Sequence, residues 1–200
     1  MPQKRVRPHV NPLSITHELS FEGFENNNPI IVDVGACKGE FTEELTKQFP
    51  NKNFIVFEIR LPLVEKLWQK FVSHENVVVF DGDAGRNFKS ILKPSIDRGV
   101  KVEQIFVNFP DPWFKEKHKK RRFINEKFLA GCAGFIPKDT QWVFQTDQKF
   151  LFDETLEVVQ KSPFSQIKFF DEPPHGIRTD WEQAKIAEGA KIFRMRFGRS

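Results

Sequence analysis

The sequence predicts an α/β domain built on a mostly parallel, seven-stranded sheet with an antiparallel edge. Three observations carry this prediction. Five short runs rich in Val, Ile and Phe recur along the chain, as in parallel strands covered on both faces. Helix-like stretches separate them, and strand alternating with helix implies right-handed crossovers. The last two strand-like runs have no comparably clear helix between them, which suits an antiparallel edge pair.

The first strand is expected at 30–34 (IIVDV) and the first helix at 39–48. The second strand falls at 53–59 (NFIVFEI) and the second helix at 62–72. There Leu63, Leu67 and Phe71 recur every fourth residue on one face, and Pro62 suits the first turn. Strands at 77–81 (VVVFD), 103–108 (EQIFVN) and 141–146 (QWVFQT) follow, with helices at about 85–92, at 123–133 and at 148–160. The last strands are expected at 165–170 (SQIKFF) and 191–197 (KIFRMRF). Residues 171–182 between them read as a loop, with room for a short helix after it. No repeat, low-complexity tract or flexible linker interrupts the pattern. Residues 1–20 therefore read as a basic N-terminal arm and residues 21–200 as one domain.

A hydrophobic share of 39% excludes a disordered chain, and 23 Phe with 4 Trp supply the area for one core. No apolar run approaches the ~18–20 residues that span a bilayer. The opening MPQKRVRPHV lacks the apolar stretch of a signal peptide, so a soluble, cytoplasmic protein is expected. Two cysteines, Cys37 and Cys132, make neither a disulfide framework nor a zinc site. The five histidines form no close pair at ligand spacing, so no metal is expected.

Charge is unevenly spread. Residues 1–10 carry +3, residues 115–122 (KEKHKKRR) carry +5 and residues 191–200 carry +4, which leaves −8 on the other 172. One basic run alone is more often a solvated face. Three on an otherwise acidic chain point to a polyanion, and the dense run beside a Pro-Asp-Pro-Trp turn points to nucleic acid.

In a sheet of this kind the ligand crevice lies at the carboxyl ends of the strands. The first strand ends in Asp33-Val34-Gly35-Ala36-Cys37-Lys38-Gly39. Its glycines suit a tight turn and close ligand approach, but the spacing is not that of a dinucleotide loop, and Asp33 disfavours a pyrophosphate. A cationic ligand such as S-adenosylmethionine suits it better. Glu58 stands 23 residues after Gly35, where an acidic residue accepts ribose hydroxyls; the alternative is a solvated strand-end Glu. Asp83 suits an adenine amino group, whereas Asp81-Gly82 also reads as a plain turn. Prolines on both sides of Asp111 stiffen the turn that carries its carboxylate. Asp147 ends the fifth strand at the same edge.

Asn108-Phe109-Pro110-Asp111-Pro112-Trp113, followed by Lys115 and Lys119-Lys120-Arg121-Arg122, closely resembles the signature of bacterial tRNA (guanine-N7-)-methyltransferases of the single-chain TrmB type. Asp33-Val34-Gly35, Gly39-Glu40-Phe41, Glu58, Asp83-Ala84, Thr146-Asp147 and Thr179-Asp180-Trp181-Glu182 follow in that family's order. Arg7-Pro8-His9-Val10-Asn11-Pro12-Leu13 resembles its N-terminal arm. The resemblance extends over nearly the whole chain. Cys37 departs from it where a glycine is usual, Phe114 stands at a position often Pro or His, and Trp181 replaces a Phe or Tyr.

The resemblance implies a Rossmann-like class I S-adenosylmethionine-dependent methyltransferase that makes 7-methylguanosine at guanosine-46 of the tRNA variable loop. It implies cofactor binding by Asp33, Gly35, Gly39, Glu58, Asp83, Ala84 and Asp111, with Asp111 also catalytic. Substrate contacts are implied for Lys115, Asp147, Thr179, Asp180, Trp181 and Glu182, and tRNA backbone contacts for Lys117, Lys119, Lys120, Arg121 and Arg122. It implies tRNA as the partner, no membrane and no obligate protein partner, with the chain a monomer or a homodimer. Guanine N7 bears no proton, so attack there needs no general base. Carboxylates facing guanine N1–H and its amino group would stabilise the cation that forms, with Asp111, Asp147 and Glu182 as candidates. Trp113 and Trp181 are either base-stacking platforms or core residues. The competing readings are a same-fold methyltransferase acting on ribosomal RNA or protein, a non-catalytic RNA-binding module for which Cys37 speaks, and, more distantly, a nicotinamide dehydrogenase.

Overall fold

A computed structural model describes residues 10–200. Lys4, Arg5 and Arg7, and with them the start of the expected arm, lie outside the described residues.

Strands β1 (Ile30–Val34), β2 (Asn53–Glu58), β3 (Val77–Asp81), β4 (Val102–Asn108) and β5 (Gln141–Thr146) pair in parallel. β7 (Phe193–Gly198) runs antiparallel to both β5 and β6 (Gln166–Phe169). The sheet order is β3-β2-β1-β4-β5-β7-β6, so the strand order reverses between β1 and β4. That is the switch point where ligands of open α/β sheets bind. The expected parallel sheet and its antiparallel edge are both present.

Alternate residues of each strand face opposite layers. Ile30 and Val32 join a cluster under α3 (Ala84–Asp97), α4 (Glu126–Ala133) and α5 (Lys149–Gln160), while Ile31 joins one under α1 (Glu40–Gln48) and α2 (Leu61–Phe71). Trp142 is fully buried, stacked 5.7 Å from both Phe197 and Phe88. Burying an aromatic of this kind stabilises the fold by ~1.5–3 kcal/mol. At the β3 edge, Trp68 Nε1 donates to Val79 O at 3.1 Å and occupies an acceptor that an open edge would expose.

Three elements differ from expectation. α3 runs on to Asp97 through Pro94, because Phe88, Ile91, Leu92 and Ser95 keep one face buried beyond the proline. α4 begins only at Glu126, where the side chain of Asn125 caps it by accepting from Phe128 N at 3.0 Å. α6 (Asp180–Ala187) begins inside the expected loop.

The chain before β1 docks on the body. His17 Nε2 donates to Asp81 O, and Leu19 N donates to Asn87 Oδ1 at 2.7 Å. Among the described residues no helix is long and apolar enough to cross a membrane, and no cluster of His, Cys, Asp and Glu is suited to hold a metal.

Candidate active site

The loop after β1 turns through left-handed backbone at Gly35 (φ 77°), Cys37 (φ 56°) and Gly39 (φ 78°). Gly35 N and Ala36 N both donate to Phe57 O, at 2.8 and 3.1 Å, which locks the turn onto β2. The space where Gly35 would carry a Cβ is open to 4 Å, so its backbone can be approached closely. Gly39 is glycine for a different reason. A Cβ there would stand 2.5 Å from Leu67 Cδ2, so this position serves the packing of α2.

Glu58 is 2% exposed and its carboxylate is saturated with donors. Oε1 accepts from Ile59 N, Arg60 N and Arg60 Nε, each at 2.9 Å. Oε2 accepts from Cys37 N at 3.0 Å and Arg60 Nη2 at 2.8 Å. The pairing with Glu58 holds the Arg60 guanidinium protonated more firmly than usual. Asp33 lies beneath the same loop, buried, accepting from Thr42 Oγ1 at 2.7 Å. Burial, with a smaller push from the charge of Glu58, raises its carboxyl to about 6. Asp83 caps α3, accepting from Gly85 N at 3.4 Å and Arg86 N at 3.0 Å, and burial raises its carboxyl too.

The turn after β4 is strained. Phe109 (φ 48°) and Trp113 (φ 46°) both hold left-handed backbone, which costs a non-glycine residue ~1–3 kcal/mol. Long-range contacts hold it there. Phe109 N donates to Gln145 O at 2.8 Å. Arg122, only 7% exposed, reaches back to donate to Pro112 O at 3.0 Å and Trp113 O at 3.2 Å, and its charge is met by Glu154. The guanidinium of Arg121 lies 4.9 Å over the Trp113 ring. The basic run forms a 3-10 helix, Glu116–Arg121, with Lys115 as its exposed N-cap. Lys119 is 3.5 Å from Glu154, while Lys117 and Lys120 are exposed. Arg122 is the one buried cation of the run, a strap on the turn rather than a surface cation.

On the β5 side, Asp147 Oδ2 accepts from Gln148 Nε2 at 2.6 Å and Oδ1 from Trp181 Nε1 at 3.4 Å. Thr179 caps α6, its hydroxyl accepting from Glu182 N at 3.1 Å. Asp180 is exposed and pairs with Lys38 of the β1 loop at 3.3 Å, joining the two loops. Trp181 is half exposed, with Lys185 Nζ 4.8 Å over its ring. Glu182 is fully buried, and its Oε1 accepts from Arg194 Nη2 at 2.5 Å.

Gly35, Glu58, Asp83, Ala84 and Asp111 therefore meet in one cleft of about 140 Å³ at the switch point. Asp33 and Gly39 support its floor without lining it. Lys115, Asp147 and the 179–182 segment are likewise outside its lining. A wider groove of about 610 Å³ shares Pro12, Asp83, Arg121 and Phe123 with the cleft and adds Arg86, Lys89, Lys120 and Lys127. Sequence reasoning missed Arg60, Arg194, Gln145 and the inward turn of Arg122. The Thr179-x-x-Glu182 pattern is a helix-start signal that places α6 correctly.

Glu58, Asp83 and Asp111 share the cleft with the guanidiniums of Arg60 and Arg121 and with apolar walls, and the carboxylates suit the hydroxyl, amino and cationic groups of a nucleoside ligand. With this sheet order, that defines a Rossmann-like S-adenosylmethionine-dependent methyltransferase. The profile of a family described as putative methyltransferase matches residues 27–195. A tRNA (guanine-N(7)-)-methyltransferase of Lachnoclostridium phytofermentans is 38% identical over 87% of this chain and 82% of its own length. One from Prochlorococcus marinus subsp. pastoris is 34% identical over 94% and 97%. A solved antibiotic-related methyltransferase shares the fold at 19% identity, with a TM-score of 0.60 over 88% of this chain and 89% of its own. The chain belongs to the tRNA (guanine-N(7)-)-methyltransferase family.

Proposed function

We propose that the protein transfers a methyl group from S-adenosylmethionine to N7 of a guanosine in tRNA, at guanosine-46 of the variable loop. The observation that carries this reading is a cleft with three carboxylates at the switch point opening onto a basic groove, in a chain of this family. When bound, S-adenosylmethionine supplies a methyl group activated by its sulfonium. Gly35 admits it along the backbone, and Glu58, Asp83 with Ala84, and Asp111 hold its polar groups. Asp33 supplies negative potential from below, and Gly39 keeps the loop packed on α2. Glu58 gains ribose hydroxyls as Arg60 yields donor positions on its carboxylate.

Guanine N7 attacks with an in-plane lone pair, so no residue needs to remove a proton. Asp111 and Asp147 face the guanine N1–H and amino group and stabilise the positive charge that grows on the base. Alignment of the reacting atoms supplies much of the remaining rate. Trp181 offers a stacking face, with Lys115, Thr179 and Asp180 around it, and Glu182 anchors that segment from inside. Lys117, Lys119, Lys120 and Arg121 take phosphates, aided by the arm at residues 1–20, on a single catalytic domain of residues 21–200. Arg122 serves the same surface indirectly, by holding the turn. The chain acts in the cytoplasm, as a monomer or homodimer without an obligate protein partner.

The test mixes the protein with methyl-labelled S-adenosylmethionine and two unmodified tRNA transcripts, one with guanosine at the variable-loop position and one with adenosine. Label is expected only in the first, as 7-methylguanosine. Cofactor binding with no label in either transcript would sink the substrate assignment.

A further inference from the structure

Four polar side chains cross the sheet in one row at its carboxyl edge. Asn108, Gln145 and Arg194 are register partners on β4, β5 and β7. Arg194 Nε donates to Gln145 Oε1 at 3.1 Å, and Gln145 Nε2 donates to Asn108 Oδ1 at 3.0 Å. At the far end Arg194 donates through Nη2 to Glu182 and through Nη1 to Asp171 O at 2.7 Å. Gln145 and Glu182 are fully buried and Arg194 nearly so.

The row has only one polarity. A guanidinium can only donate, so Gln145 must present its oxygen to Arg194. Its nitrogen must then face Asn108, which presents its own oxygen in turn. The group left over is Asn108 Nδ2, buried and without a partner among the described residues, on a residue of the cleft lining. A buried donor left unpaired is an exception in native structures and calls for an explanation.

We propose that Asn108 is a specificity-determining donor to O6 of the target guanine, and that Gln145 and Arg194 are positioning residues that fix its polarity. This rests on the guanine-N7 reading above. The carboxylates of the site, Asp111 and Asp147, only accept, and they suit guanine N1–H and its amino group. A single fixed amide donor completes the complement at O6. Adenine would set its own amino group against that donor, and a site built to bond one partner rejects an analogue that leaves the bond unmade.

Two variants test this, Asn108→Ala and Gln145→Glu, each assayed well below its own melting transition, since both disturb the buried row. The glutamate would accept from Arg194 and from Asn108 Nδ2, turning the Asn108 oxygen toward the cleft. Asn108→Ala is expected to lower kcat/KM for guanosine tRNA about 10- to 100-fold, with the Kd for S-adenosylmethionine unchanged. Gln145→Glu is expected to lose more, since an acceptor then meets O6. On a transcript carrying 6-thioguanosine at the target, where sulfur is a poor acceptor, wild type and Asn108→Ala should converge. A parallel rise in cofactor Kd would assign the donor to the cofactor and overturn the proposal. So would an Asn108→Ala penalty that persists on 6-thioguanosine. Wild type inert on the guanosine transcript is a separate result, which overturns the reading beneath.

Discussion

The two halves of the sheet's carboxyl edge hold a buried glutamate in different ways. On the β1–β2 side, Glu58 is met by three backbone N–H groups as well as by Arg60, a residue two positions away. On the β4–β5–β7 side, Glu182 relies on side chains, Arg194 at 2.5 Å and Arg178 at 3.7 Å, and its Oε2 has no hydrogen-bond partner among the described residues. The first carboxylate is bound mainly by the loops that fold around it. The second is bound by a side-chain row crossing three strands. Backbone donors come with the fold, whereas a side-chain row can be removed one residue at a time.

The sharpest way to break this contrast is to delete the two arginines. Arg194→Met should destabilise the protein by ~3–5 kcal/mol, because it leaves a buried carboxylate with only the half-exposed Arg178, 3.7 Å away, to meet its charge. Arg194→Met with Glu182→Met should recover most of that loss, as read from urea unfolding. Recovery of none would mean that Arg194 acts mainly through Gln145 or Asp171.

A smaller effect, of opposite sign, is expected at Asp33. Its folded carboxyl titrates at about 6, above the ordinary 3.8, so the native state holds the proton more tightly than the unfolded state. Stability linked to that proton is fully present below about pH 4, falls as pH rises to about 6 and stays low above it. Asp33→Asn should therefore raise stability by roughly 2–3 kcal/mol above pH 6, with the gain vanishing toward pH 4. Thermal melts across that range would read it, and a gain independent of pH would show that charge burial is not the cause. Stabilisation accompanied by weaker cofactor binding would mark a carboxylate kept for function.

The smallest effect belongs to Arg60→Met. Its side chain is a quarter exposed and Glu58 keeps its backbone donors, so about 1 kcal/mol is expected. A loss as large as that of Arg194→Met would erase the difference between the two halves.

Much of the fold and part of the site were legible in the sequence. The apolar runs that form β1 to β5 read directly as buried parallel strands, and Gly35, Glu58, Asp83 and Asp111 fell at strand ends where a ligand cleft belongs. The helix expected at about 85–92 stops short of Pro94, and the buried face that carries α3 past that proline is a tertiary feature. Arg122 was read as a surface cation because it sits in a run of six. Only the folded chain brings Glu154 and the strained turn within its reach.

The sequence by itself determined the order of strands and helices, the acidic edge and the basic run, because these depend on periodicity and on residues near one another in the chain. The row from Asn108 to Glu182 was decided by tertiary structure alone. Its hydrogen bonds join residues 37, 49 and 12 positions apart, and its polarity exists only once three strands lie in register. Asn108 and Glu182 stand in motifs of the sequence, but nothing there joins them to each other or to Gln145 and Arg194. What gives the row its direction is that a guanidinium cannot accept a hydrogen bond, and pairing across the sheet carries that constraint to Asn108 at the cleft.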